Sequence, residues 1–207
     1  MIDKSLKEYI VNNIFPIYSK NDVGHRINHI EYVIERSLKF ASQVQPINYN
    51  MAYTIAAYHD IGHYIDPKNH ERISADIMLY DENLREWFGE DEILIMFDAI
   101  CDHRASLSEE PSSIYGKIVS SADRNVDMES ILMRTYEYRR RNNPWMNTEQ
   151  IMEESYEHVC SKFGPDGYAV DKMYFDDPEY EKFLRDAERM IKNKEKFKRE
   201  FRRVNKL

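Results

Sequence analysis

His59, Asp60 and His63 sit together where an apolar stretch, residues 51–66, runs out. Imidazole and carboxylate side by side at the end of a buried helix need partners. A buried polar group must be hydrogen-bonded, and a buried charge must be paired or bound to a metal. One divalent cation would satisfy both. A lone His-Asp dipeptide carries little information, so the surrounding residues decide its meaning. His25 and His29 lie upstream, four apart and so on one helical face. His70 and His103 lie downstream, and Asp123 ends the run Val119-Ser120-Ser121-Ala122-Asp123-Arg124. Three or four imidazole and carboxylate ligands suit Mn, Fe, Co, Ni or Zn better than Ca or a thiolate zinc site.

Each histidine also has a plainer reading. His25 reads equally as an imidazole in water, and His70 as an exposed first-turn residue. Asp102-His103-Arg104 reads either as a polar trio facing the His-Asp helix or as a solvated helix end, where a basic group suits the dipole.

The elements that must position these groups read as helices. The first spans 3–18, with Leu6, Ile10, Ile14 and Ile17 on one side and Pro16 distorting its last turn. The turn Asn21-Asp22-Val23-Gly24 leads into 25–43, where Ile30, Val33, Ile34, Leu38 and Ala41 form the buried stripe. A helix over 49–62 delivers His59, Asp60 and His63, and Gly62 lets the backbone leave it. Asp60 lies about 100° round from His59. Asn69 caps a helix over 70–80, and Asp81 caps a short one to Phe88. Helices over 91–104 and 113–124 bring His103 and Asp123. Beyond these come helices over 127–141 and 148–163, then one long polar helix over 178–204. Two parts follow, a core over 1–140 and a helical extension over 141–207 packed on it as a single domain.

The chain has 207 residues, only 6 Gly and 7 Pro, and 13% aromatic residues including 15 Tyr. Scarce turn formers and helical spacing predict an all-α protein, and the aromatic content excludes a disordered chain. No apolar run reaches membrane-spanning length, and the first residues lack the apolar core of a signal peptide. Two unpaired Cys, Cys101 and Cys160, fit a reducing cytoplasm. The net charge is −8. Residues 182–207 carry 11 Lys and Arg against 4 Asp and Glu, a local +7 that leaves −15 elsewhere. An acidic body does not draw in anionic substrates by its overall field, so a phosphate ester would need a metal and local cations. Lys68, Arg72, Arg104 and Arg124 are the cations nearest the candidate ligands in sequence, with Arg104 the first choice for a bidentate clamp.

The strings Gly24-His25-Arg26-Ile27-Asn28-His29, Ala56-Ala57-Tyr58-His59-Asp60-Ile61-Gly62-His63 and Ser121-Ala122-Asp123-Arg124 resemble the HD-domain superfamily of metal-dependent phosphohydrolases. The match covers roughly residues 20–135. The resemblance implies an HD-type helical bundle in which His29, His59, Asp60 and Asp123 ligate a divalent metal. It implies hydrolysis of a phosphomonoester, phosphodiester or nucleotide, with metal-activated water attacking phosphorus in line with the leaving oxygen. Some branches add two histidines in the interval where His70 and His103 fall and hold a second metal, as in symmetrical dinucleoside tetraphosphate hydrolases and HD-type phosphodiesterases. Where nucleotidase-type members carry Glu and several two-metal members Lys, this chain has His63, a candidate for contacting phosphate or protonating a leaving group.

The expected partner is a small phosphorylated molecule, a nucleotide first. A membrane is not expected, and a homodimer through the amphipathic C-terminal helices is compatible. The rival readings are a non-catalytic module that senses a nucleotide or binds a partner, and RNA binding through the Arg run at 139–141 and the basic tail, which a steep salt dependence would reveal.

Overall fold

The computed structural model describes residues 2–207, of which 66% are helical, with no strand among them. The expected all-α class is what is found. By compactness the chain divides into two units: residues 1–123 with 174–176, and residues 124–173 with 177–207.

In the first unit, α1 (Lys4–Asn13) starts at Asp3, whose side chain accepts from the backbone N–H groups of Ser5 and Leu6. Pro16 cannot donate within a continuing α-helix, so the chain tightens into a 3-10 turn over Phe15–Lys20. A second short turn, Val23–His25, precedes α2 (Ile27–Ala41). Asn48 caps α3 (Tyr49–Tyr58), and every residue from Met51 to Tyr58 is buried. A helix with no polar face has to be central. It packs against α2, α5 (Glu90–Cys101) and α6 (Ile114–Ala122), while α4 (His70–Leu79) packs against α5.

The α3 helix ends at Tyr58, four residues short of the expected boundary. His59 to Ile65 form tight turns instead, in which Ile61 and His63 donate to the carbonyls of Tyr58 and Asp60. Close packing of this turn on α4 explains the change. A Cβ on Gly62 would lie 2.7 Å from Ile73 Cγ2 and 2.8 Å from Ser74 N, and the Gly62 N–H donates to Ser74 Oγ at 2.9 Å. Residues 174–176 return to this unit. Tyr174 N–H donates to Ser121 Oγ at 3.2 Å, Phe175 stacks on Phe40, and the Gln43 amide pairs with both backbone groups of Asp176.

The second unit holds α7 (Met128–Asn142), α8 (Thr148–Phe163), α9 (Pro178–Ile191) and α10 (Lys194–Asn205) around one apolar cluster. Its division from the first falls at Asp123–Arg124, whereas the expected boundary was near residue 140. The reason is that Ile131 and Leu132 of α7 join the same cluster as Phe163, Tyr180, Phe183, Phe197 and Phe201. The single helix expected over 178–204 is two helices. Asn193 leaves helical geometry, and its side chain caps α10 by accepting from Lys196 N–H. The apolar faces of α9 and α10 are thus buried within this unit, and among the described residues no helix is long and apolar enough to cross a membrane.

Candidate metal centre

The ends of α3 and α6, the start of α4, the residue two beyond α5 and the first turn of α2 all lie in the first unit, and together they supply the site. His59, Asp60, His63, His70 and His103 are all buried. The Asp60 carboxylate lies at the middle. Its Oδ2 is 3.4 Å from His29 Nε2 and 3.3 Å from His59 Nε2. Its Oδ1 is 3.1 Å from His70 Nε2 and 3.7 Å from His103 Nε2. Asp123 Oδ1 lies 3.2 Å from His29 Nε2 and 3.9 Å from His59 Nε2. Two ligand groups result, His29/His59/Asp123 and Asp60/His70/His103, each with donor atoms within 4.8 Å of one another.

The donor set fits a divalent metal. His59 Nδ1 is 2.8 Å from Ala56 O, and His103 Nδ1 is 2.6 Å from Ile100 O. Each Nδ1 must carry the proton it gives to a carbonyl, which leaves Nε2 as a lone pair aimed at the centre. The Nε2 atoms of His29 and His59 are buried and make no hydrogen bond. Atoms of that kind are costly unless an ion takes their lone pairs. His70 and His103 bring their Nε2 atoms to 3.2 Å, a separation that suits two nitrogens on one cation. His70 differs in one respect. Its Nδ1 faces Pro67 O at 3.0 Å and Arg104 Nη2 at 3.1 Å, so both tautomers find partners.

Charge reinforces the geometry. Burial alone would lower the pKa of His29, but Asp123 and then Asp60 outweigh it and raise it to about 9. Burial likewise opposes ionisation of Asp60, yet the surrounding histidines, His59 foremost, hold its carboxyl well below the usual range. Asp123 is lowered against its own burial by His29. For His70 burial opposes protonation and Asp60 raises the pKa. His63 goes the other way: burial and the neighbouring His25 push it down to about 4.

The remaining candidates separate. His25 and His63 stack with ring centroids 3.8 Å apart, and His63 is 5.2 Å from His70, so both adjoin the ligands. Arg104 reaches the site edge, ion-paired with Glu71 and bonded to Pro67 O at 3.2 Å. Lys68 is exposed on the loop before α4. Arg72 is turned away. It lies about 200° round α4 from His70, bonds Asp76 at 3.1 Å and covers the Phe97 ring. Arg124 is buried and belongs to the second unit, where its charge bears on Tyr168.

Sequence reasoning missed four groups. Asn21, buried, donates through Nδ2 to Asp60 O at 2.9 Å and His25 O at 3.0 Å, tying two turns together. Asp22 holds His25 Nδ1 at 2.8 Å. Glu71 anchors Arg104. Arg36 donates to Ala122 O at 3.2 Å, securing the end of α6 just before Asp123. The signal available for Asp22 was its place as a cap three residues before a histidine. Nothing in the sequence marked the others.

Comparison with known proteins bears on the family and the fold. The family model for the HD domain matches residues 26–125. No functionally curated protein matches the chain. Among solved structures, one titled a predicted HD superfamily hydrolase, from an uncultured Thermotogales bacterium, is 24% identical. The match covers 74% of this chain and 87% of that one with a TM-score of 0.51, a likeness of fold. Residues 26–125 are thus an HD domain.

Proposed function

We propose that the chain is a metal-dependent phosphohydrolase of small phosphate esters or anhydrides, with nucleotides the leading substrate class. The observation that supports it most is the Asp60 carboxylate, one oxygen toward His29 and His59 and the other toward His70 and His103. In this reading His29, His59 and Asp123 would hold one divalent ion and His70 and His103 a second, with the Asp60 carboxylate placed to serve both. Such ions lower the pKa of water toward neutrality and draw charge from a phosphoryl oxygen. Mn, Fe, Co, Ni and Zn all suit the nitrogen and oxygen donors.

The chain itself supplies orientation and charge. Ala56 O and Ile100 O fix the rings of His59 and His103. Arg104, one-third exposed and steadied by Glu71, offers N–H groups to a phosphate at the edge of the site. His63 is uncharged at neutral pH, so it would meet phosphate as a neutral hydrogen-bonding group and would not supply a proton to a leaving group.

The test uses metal-free full-length protein reloaded with Mn. It is assayed against p-nitrophenyl phosphate, nucleoside mono- and diphosphates, dinucleoside polyphosphates and cyclic dinucleotides. Mn-dependent turnover of at least one, lost in Asp60→Asn, is expected. Protein that binds Mn yet turns over none of them would contradict the catalytic reading.

A further inference from the structure

A third group of donors adjoins the two already described. Asp22, His25 and His63 each offer one oxygen or nitrogen, all within 4.8 Å of one another. Asp22 Oδ1 accepts from Gly24 N–H at 2.9 Å, which caps the Val23–His25 turn, and meets His25 Nδ1 at 2.8 Å. His63 is 7% exposed. Its ring stacks on His25 at 3.8 Å and lies 5.2 Å from His70 between centroids, and the charges of Asp22 and Asp60 act on it. A carboxylate with two imidazoles is rich in lone pairs and carries no fixed positive charge. It is a donor set that suits a cation.

We propose that Asp22, His25 and His63 form a further binding site for a divalent cation of the Mn, Fe or Zn class, beside the two positions organised by Asp60. The inference extends the metal reading above and rests on it. Binding displaces the proton held between Asp22 and His25 and swings His63 out of its stack, so that both rings can present a nitrogen to one ion. Three protein ligands and a hydrogen bond to displace make this site weaker than the Asp60 pair. Asn21 fixes the site's distance from the others, because its amide joins the backbones of His25 and Asp60.

The test is a Mn titration of metal-free, full-length protein, with bound Mn counted at equilibrium for wild type, Asp22→Asn and His63→Leu. Circular dichroism checks that the variants are folded, and Asp22→Asn is close to isosteric. The inference expects a third, weaker equivalent in wild type. In both variants its affinity falls about 10–100-fold or it disappears, while two equivalents remain. Saturation of wild type at two equivalents would overturn this site and leave the Asp60 pair standing. A third equivalent unchanged in both variants would also overturn it, by placing that ion elsewhere. Fewer than two equivalents in wild type would overturn this site and the two-metal reading together.

Discussion

The two units solve the problem of burial in opposite ways. The first encloses His59, Asp60, His63, His70 and His103 among apolar helices. The second encloses Phe163, Tyr180, Phe183, Phe197 and Phe201, whose rings meet one another edge-on and stacked. Aromatic burial stabilises a fold directly. Buried imidazoles and carboxylates do not, since each must recover its lost hydration from a partner. The difference teaches where chemistry belongs. The second core is explained by stability alone, whereas the first gathers donor atoms whose lone pairs suit cations.

The contrast can be broken from either side. Phe201→Ala should cost about 3–5 kcal/mol in unfolding free energy, because a fully buried ring leaves a cavity. Chemical denaturation measures that loss, and the metal content of the folded protein should stay at its wild-type value. Mn at a hundred times its Kd should stabilise wild type by about 2.7 kcal/mol. In Asp60→Asn the rise in melting temperature with Mn should be much smaller than in wild type, while Phe201→Ala should respond as wild type does.

Gly62→Ala tests the junction between the ligand turn and α4. Its new Cβ would press on Ile73 and on the backbone of Ser74, and overpacking of this kind costs about 1–3 kcal/mol. Mn affinity should fall with it. The smallest effect belongs to Arg72→Ala, which breaks an exposed i,i+4 pair with Asp76 and should change stability by about 0.3–0.5 kcal/mol with metal binding unaltered.

Acidity gives another handle. The pKa of His29 is raised from 6.5 to about 9 by Asp123 and Asp60 acting against burial. A raised pKa means that protonation favours the folded state. In metal-free protein this stabilisation is fully present below about pH 6.5 and is lost as pH rises through 9. Mn must displace the same proton, so its affinity should climb across that window. Melting temperatures of metal-free and Mn-loaded protein between pH 6 and 9.5 should converge toward acid and diverge toward base. His29→Gln should flatten the metal-free profile.

Much of this was legible in the sequence, for physical reasons. Periodicity marks an apolar face, so α2, α4, α5, α6 and α8 fall near their expected bounds. Helix ends were harder. Nothing local announces that α3 must stop at Tyr58, because the stop depends on the fit of Gly62 against α4. Asn193 carried a cap that the polar pattern around it concealed. In the site, the resemblance to the HD domain, and not helical spacing, gathered His29, His59, Asp60, His70, His103 and Asp123, since they lie on different elements. Sequence proximity served the cations less well. Arg72 is two residues from His70 yet points away from it, and Arg124, although next to Asp123 in sequence, belongs to the second unit. The Asp22 contact and the Asn21 tie depend on turns meeting across the bundle, which no periodicity encodes.

A shared Asp60 is central to the proposed two-metal site. Electron paramagnetic resonance of Mn-loaded protein at low temperature measures that directly. A carboxylate between two Mn ions should give the spectrum of an exchange-coupled pair in wild type, collapsing to isolated Mn in His103→Ala. Isolated Mn alone in wild type loaded with two equivalents, with no coupled signal, would contradict a shared Asp60 and leave the histidine groups as separate sites.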